Sequence, residues 1–194
     1  MDKNTTKNGI YTDRIFPALL RSDWNAELLK TLPHRTSSDL ALFYHIKLDF
    51  GTIKITYEIA EELGLTENDL YKMAFRNAAN AARFQTISGA MRELTEFKID
   101  IPETPELYVL TDGTVDRYGA GVIIVLINSG SEMIENMKLI PSSINEWILV
   151  PDGLNVDFLD DLIKDVNKKV VVPEERLSDH MYRFSDLAGF ANND

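Results

Sequence analysis

YGAGVIIVLINSGSEMIENMKLIPSSINEWILVPD, residues 118–152, contains the longest apolar run of the chain and the polar turn whose reading decides the fold. Gly119 to Ile127 is a continuous, β-branched-rich run, which predicts a strand buried on both faces. Gly119 and Gly121 at its start predict a bulge or a close backbone approach. Ser131 to Met137 predicts a short helix capped by Ser129 or Ser131. Pro141-Ser142-Ser143-Ile144-Asn145-Glu146 is a turn leading into a strand over Glu146–Val150, which Pro151-Asp152-Gly153 closes. Strand, helix and strand in this order describe a compact α+β domain.

The flanking sequence extends the pattern. Ile10 to Leu20 is mixed and broken at Pro17. Asp23 to Leu32 predicts a short helix ending before Pro33. Asp39 to Leu48 predicts a strand, and Asp49-Phe50-Gly51 turns it into a hairpin with Thr52–Tyr57. Tyr57–Leu63 predicts a helix with Gly64 as its C-cap. A second helix starts at Thr66, where Asp69 three residues on makes a capping-box signal, and runs to Arg83. A further helix is expected over Ser88–Phe97, a connector over Ile99–Glu106, a strand over Leu107–Leu110 and a hairpin turn at Asp112-Gly113. Val156–Val166 has amphipathic helical spacing. Val170–Val172 predicts an edge strand, and Leu177–Phe184 a loop with a last short strand. The expected architecture is a single α+β domain over residues 10–190, with a mixed, mainly antiparallel sheet and packed helices. Residues 1–9 form a polar leader.

Hydrophobic content of 44% and charged content of 26% place the chain among globular proteins rather than disordered ones. It has no cysteine, which excludes disulfides, thiolate zinc sites, iron–sulfur clusters and a cysteine nucleophile. The polar beginning lacks an apolar signal core, and Val122–Ile127 is too short to span a bilayer. A cytoplasmic location and no membrane partner are expected. The net charge of -11 disfavours general nucleic-acid binding and fits either a solvated acidic surface or a basic protein partner. No cofactor is expected.

Few residues carry a chemical signal. Ser142 or Ser143 with Glu146 has the makings of a nucleophile and partner, but that chemistry needs a base within reach and an oxyanion site. No Gly-x-Ser-x-Gly elbow is present. The serines are better read as capping backbone groups at a turn. The histidines are His34, His45 and His180. None has metal-binding helical spacing, and His45 lies inside a strand pattern as a core residue. His34-Arg35 and Asp179-His180 each precede strand-like residues, so folding can bring them toward Asp39 or Glu146. The candidate ligand site is therefore His34, Arg35, Asp39, Ser142, Ser143, Asn145, Glu146, Asp179 and His180, with no metal ligands assigned. Asp112 to Asp116 lacks the spacing of a calcium loop, and Gly119-x-Gly121 lacks the third glycine of a dinucleotide fingerprint. Trp24 and Trp147 are read as packing residues; an exposed tryptophan would instead anchor an interface.

Several segments together resemble one family. They are Leu32-Pro33-His34-Arg35 with Asp39-Leu40-Ala41, Leu65 through Ala74 with Asn77, Tyr118-Gly119-Ala120, Ile140 through Glu146, and Leu177 through Tyr182. Their order resembles that of bacterial domain-of-unknown-function family 5688. The resemblance implies a cytoplasmic bacterial protein and supplies no activity. The family usually has His where this chain has Asn145, so the imidazole that would make the turn an acid–base site is missing here. The leading expectation is a non-enzymatic protein-interaction domain. The alternative is a hydrolase-like or small-ligand site around the 141–146 turn and the Leu177–His180 segment.

Overall fold

The computed structural model describes residues 12–89, 107–113, 118–154 and 159–191. They form an α+β domain with two antiparallel sheets. The first sheet is centred on β3 (Leu40–Leu48), with β1 (Ile15–Arg21) on one side and β2 (His34–Ser37) and β4 (Gly51–Lys54) also paired to it. The β3–β4 hairpin turns as expected, with Leu48 opposite Gly51. β3 is buried on both faces from Leu40 to Ile46, which explains its unbroken apolar sequence. Leu40, Leu42, Tyr44 and Ile46 enter the main core. Ala41 and Phe43 alternate to the other face, where they pack with Leu20, Leu29 and Leu32.

α1 (Ala26–Leu29) is shorter than the expected Asp23–Leu32 helix, and Asn25 rather than Asp23 stands at its N-cap. α2 (Tyr57–Leu63) ends at Gly64, which adopts φ 67°, the left-handed geometry that glycine supplies at least cost. α3 (Glu67–Ala81) begins with a complete capping box. Thr66 Oγ1 accepts from the Asp69 amide at 3.2 Å, and the Thr66 amide donates to Asp69 Oδ2 at 2.9 Å. α3 packs on β1, and its buried Asn77 donates from Nδ2 to the carbonyls of Thr12 and Ile15 at 2.7 and 2.8 Å.

The second sheet has the order β5 (Arg83–Thr86), β6 (Tyr108–Thr111), β8 (Glu146–Pro151), β7 (Met137–Ser143), β9 (Tyr182–Arg183). Its inner face supplies Leu110, Leu139, Trp147 and Leu149 to the main core. β6 pairs with β5 and β8, so Asp112-Gly113 is not the turn of a sequential hairpin. β1, β2, β5 and β7 were not anticipated as strands. Pro17 does not break β1, because β1 is an edge strand and one missing N–H is tolerated there.

The central strand expected over Gly119–Ile127 is instead a 3-10 turn, Gly119–Val122, running into α4 (Ile123–Ile127). A fully buried apolar run has the same sequence signature in either conformation. Its surroundings decide the outcome. The Ala120 amide donates to the Ile144 carbonyl at 3.0 Å, and Trp147 Nε1 donates to the Ala120 carbonyl at 2.9 Å. Asn128 Nδ2 closes the helix on the Ile124 carbonyl at 2.7 Å. The close approach expected at the glycines is present: a Cβ on Gly121 would lie 2.1 Å from the Pro17 carbonyl oxygen.

α5 (Glu132–Glu135) and α6 (Leu159–Lys169) lie where short and amphipathic helices were expected. The expected strand over Val170–Val172 does not form. The amides of Val170 and Val171 donate to the Val166 carbonyl at 2.8 and 3.3 Å, satisfied by the end of α6 rather than by a sheet edge. The polar leader over residues 1–9, the connector over 99–106 and residues 90–97 of the expected helix lie outside the described residues. Among the described residues, no helix is long and apolar enough to cross a membrane.

Candidate functional site

Three of the nine candidate residues meet where the β2–β3 turn faces the C-terminal segment. Asp39 follows Ser38, which takes φ 53° to make the turn. Tyr182 Oη donates to Asp39 Oδ1 at 2.6 Å. His180 Nε2 stands 3.8 Å from the same oxygen. Arg21, the last residue of β1, places Nε 3.5 Å from Asp39 Oδ2 and 2.8 Å from Asp23 Oδ1, and Nη1 3.8 Å from Asp179 Oδ2. Buried Asn167 on α6 donates from Nδ2 to Asp179 Oδ1 at 2.9 Å and to the Ser178 carbonyl at 2.7 Å. Ser178 Oγ lies 3.0 Å from His180 Nδ1.

The electrostatics favour a fixed brace. Burial raises the Tyr182 pKa, and its bond to Asp39 raises it further, so the phenol stays protonated as a donor. For Arg21, burial works toward a lower pKa. The Asp23 hydrogen bond and the charges of Asp23 and Asp39 outweigh it, leaving the pKa raised. Ser178 is wholly buried, so its hydroxyl is a structural partner of His180 rather than an accessible nucleophile.

The other candidates lie in separate contacts. Arg35 forms a two-pronged pair with Glu67, with Nε–Oε1 at 2.8 Å and Nη2–Oε2 at 3.2 Å. Its guanidinium carbon lies 3.6 Å over the Tyr71 ring, and Nη1 donates to the Ala191 carbonyl at 3.2 Å. Tyr44 donates to the same Glu67. This group joins the first turn of α3 to β2, β3 and the C-terminal segment. His34 donates from Nδ1 to the Leu32 carbonyl at 2.7 Å.

The Ser142–Glu146 turn closes the β7–β8 hairpin. Ser142 Oγ donates to Glu146 Oε1 at 3.2 Å, and Ser143 Oγ accepts from the Asn145 amide at 3.1 Å. Asn145 Oδ1 accepts from the Tyr118 amide at 3.1 Å, and its carbonyl accepts from Thr111 Oγ1 at 3.2 Å. Asn145 thus anchors the start of the 119–127 segment to the hairpin, a role that the sequence signals only as a capping turn. Among the described residues, no hydrogen bond or ion pair joins this turn to the Asp39 group.

A different feature remains open to solvent. On the face of the first sheet opposite the main core lies a groove of about 470 Å³, lined by Leu20, Phe43 and Tyr118. Trp24, Leu28, Lys54, Glu174 and Arg176 also line it. Trp24 is 49% exposed. The Lys54 ammonium is 5.7 Å from the Tyr118 ring centroid and has no hydrogen bond or ion pair among the described residues. Arg176 donates from Nε to the Val171 carbonyl at 3.0 Å, its one side-chain hydrogen bond among the described residues. Tyr118 takes φ 81° and meets Phe43 edge-on at 5.5 Å. The Arg21 guanidinium lies 4.4 Å over the Trp24 ring, so the Asp39 group stands directly behind the groove wall. Lys54 and Arg176 carry no local motif; only the tertiary fold brings them together.

Residues 3–186 match the model of a family of unknown function, DUF5688. No curated protein and no solved structure matches the chain.

Proposed function

We propose, from the premise that the chain belongs to the DUF5688 family of unknown function, that it is a non-enzymatic interaction domain whose binding surface is the outer groove of the first sheet. The observation that carries this reading is half-exposed Trp24 in the same groove as Lys54, which has no hydrogen bond or ion pair among the described residues. Tryptophan in a partly apolar cleft is the residue type that most often anchors a protein interface. A hydrolytic reading has less support. Ser142 and Ser143 are partnered by Glu146 and a backbone amide rather than by an imidazole.

The test is capture from a lysate of the source cell at low salt, comparing wild type with Trp24→Ala by quantitative mass spectrometry. The expected result is a stoichiometric protein retained by wild type and lost by Trp24→Ala at unchanged melting temperature. A partner held equally by both proteins, or no partner, overturns the assignment of this surface.

A further inference from the structure

The groove carries a charge that its own chain leaves unanswered. The protein has 31 Asp and Glu against 20 Lys and Arg, so an ammonium without a carboxylate partner runs against the composition. Lys54 is such a group among the described residues. Glu174 lines the same groove, yet it forms no ion pair with Lys54 or Arg176 among the described residues. Among the described residues the Arg176 guanidinium donates only from Nε, to the backbone, which leaves its Nη donors for another acceptor. Leu20, Trp24, Leu28, Phe43 and Tyr118 give the groove an apolar lining beside these cations. The same groove therefore offers cations that suit a carboxylate and apolar surface that suits an apolar side chain.

We propose that the groove binds an acidic peptide segment. A Glu or Asp carboxylate lies between Lys54 and Arg176, and a neighbouring apolar side chain packs on Trp24 and Leu28. This rests on the groove being the binding surface. A volume of about 470 Å³ falls in the range of about 300–1,000 Å³ typical of ligand-binding pockets, enough for a short segment rather than a folded partner's whole face. Lys54 supplies a point charge and Arg176 a planar fork, the pair of cations that reads a carboxylate by both charge and direction. The overall charge of -11 opposes acidic partners at long range, so recognition depends on contact within the groove and not on steering.

The test uses three short peptides that differ at one position, acetyl-Leu-Glu-Leu-amide and its Gln and Lys counterparts. Each is titrated into the isotope-labelled full chain while the Trp24 indole and nearby amides are followed by NMR. The expected result is that the Glu peptide shifts the Trp24 indole and binds at least about tenfold tighter than the Gln peptide, the order of one charge-assisted contact. Lys54→Ala removes that preference, and Lys54→Glu reverses it in favour of the Lys peptide. Gln or Lys peptides binding wild type as tightly as Glu would overturn the acidic specificity and leave the surface standing. If no peptide moves the Trp24 indole, the binding-surface reading fails as well. Trp24 shifts that follow protein concentration without peptide would assign the groove to a second copy of the chain and overturn the proposal.

Discussion

Replacing His45 by Phe should make this protein more stable and less sensitive to acid. His45 lies in β3 opposite Phe16 on one side and Lys54 on the other, and it is wholly buried. Its ring packs against Tyr118 at 5.3 Å and Phe16 at 6.4 Å between centroids. Neither ring nitrogen has a hydrogen-bond partner among the described residues. A buried polar group left unsatisfied costs about 1–3 kcal/mol, and phenylalanine removes that cost with a somewhat larger aromatic ring, which takes back part of the gain. His45→Phe is therefore expected to raise the unfolding free energy at pH 7 by about 1–2 kcal/mol.

The pH dependence gives a sharper discriminator. Burial, followed by the charge of Lys47, lowers the His45 pKa from 6.5 to about 3; Asp112 acts in the opposite direction and Lys54 adds to the lowering. Between those values the unfolded chain binds a proton that the native chain does not. Native stability is thus fully present above pH 6.5 and falls as pH falls toward 3. The slope approaches about 1.4 kcal/mol per pH unit, so this one residue costs wild type about 2 kcal/mol between pH 7 and pH 5. Urea unfolding followed by circular dichroism at pH 7, 6 and 5 reads the difference, because every other titrating group is common to both proteins. A variant that is less stable than wild type at pH 7, or that loses as much stability by pH 5, would refute the reasoning. Either result would mean that the imidazole is satisfied in solution.

Two further substitutions test the packing behind the site. Gly121→Ala is expected to destabilise by about 3 kcal/mol, because the new Cβ would meet backbone, Pro17 O at 2.1 Å and Ala18 N at 2.9 Å, and backbone cannot rotate away; a melting temperature within a degree of wild type would contradict the contact. Tyr182→Phe keeps the ring beside Trp147 but removes the donor to Asp39, and should cost about 1–2 kcal/mol in chemical denaturation; an unchanged midpoint would mean that Asp39 does not depend on that bond.

The helices legible in the sequence are those with local signals at their ends or, for α6, with amphipathic spacing. Gly64 stops α2, and Thr66 with Asp69 starts α3; both signals act within a few residues and survive any tertiary context. The 119–127 segment was misread because nothing local separates a buried helix from a buried strand when every residue is apolar. Its conformation depends on Ile144, Trp147 and Asn145, which lie in the following hairpin. β1 was hidden by Pro17, whose meaning changes once the strand is known to be an edge. Val170–Val172 looked like a strand by residue type alone, and the unfinished carbonyls at the end of α6 claimed its amides instead.

The polar candidates were legible as residue types but not in their roles. Asp39, Asp179 and His180 do come together, with His180 facing Asp39 directly and Arg21 and Tyr182, which no motif singles out, joining the group. Arg21 links that group to the groove. Its guanidinium is held by Asp23, approached by Asp39 and Asp179, and stacked on Trp24. A guanidinium fixed by carboxylates on its edges presents a flat face of set orientation, and an indole stacked on it loses little entropy when a ligand packs on its other side. On the proposed binding surface, the carboxylates around Arg21 would serve recognition by preorganising the tryptophan one contact away.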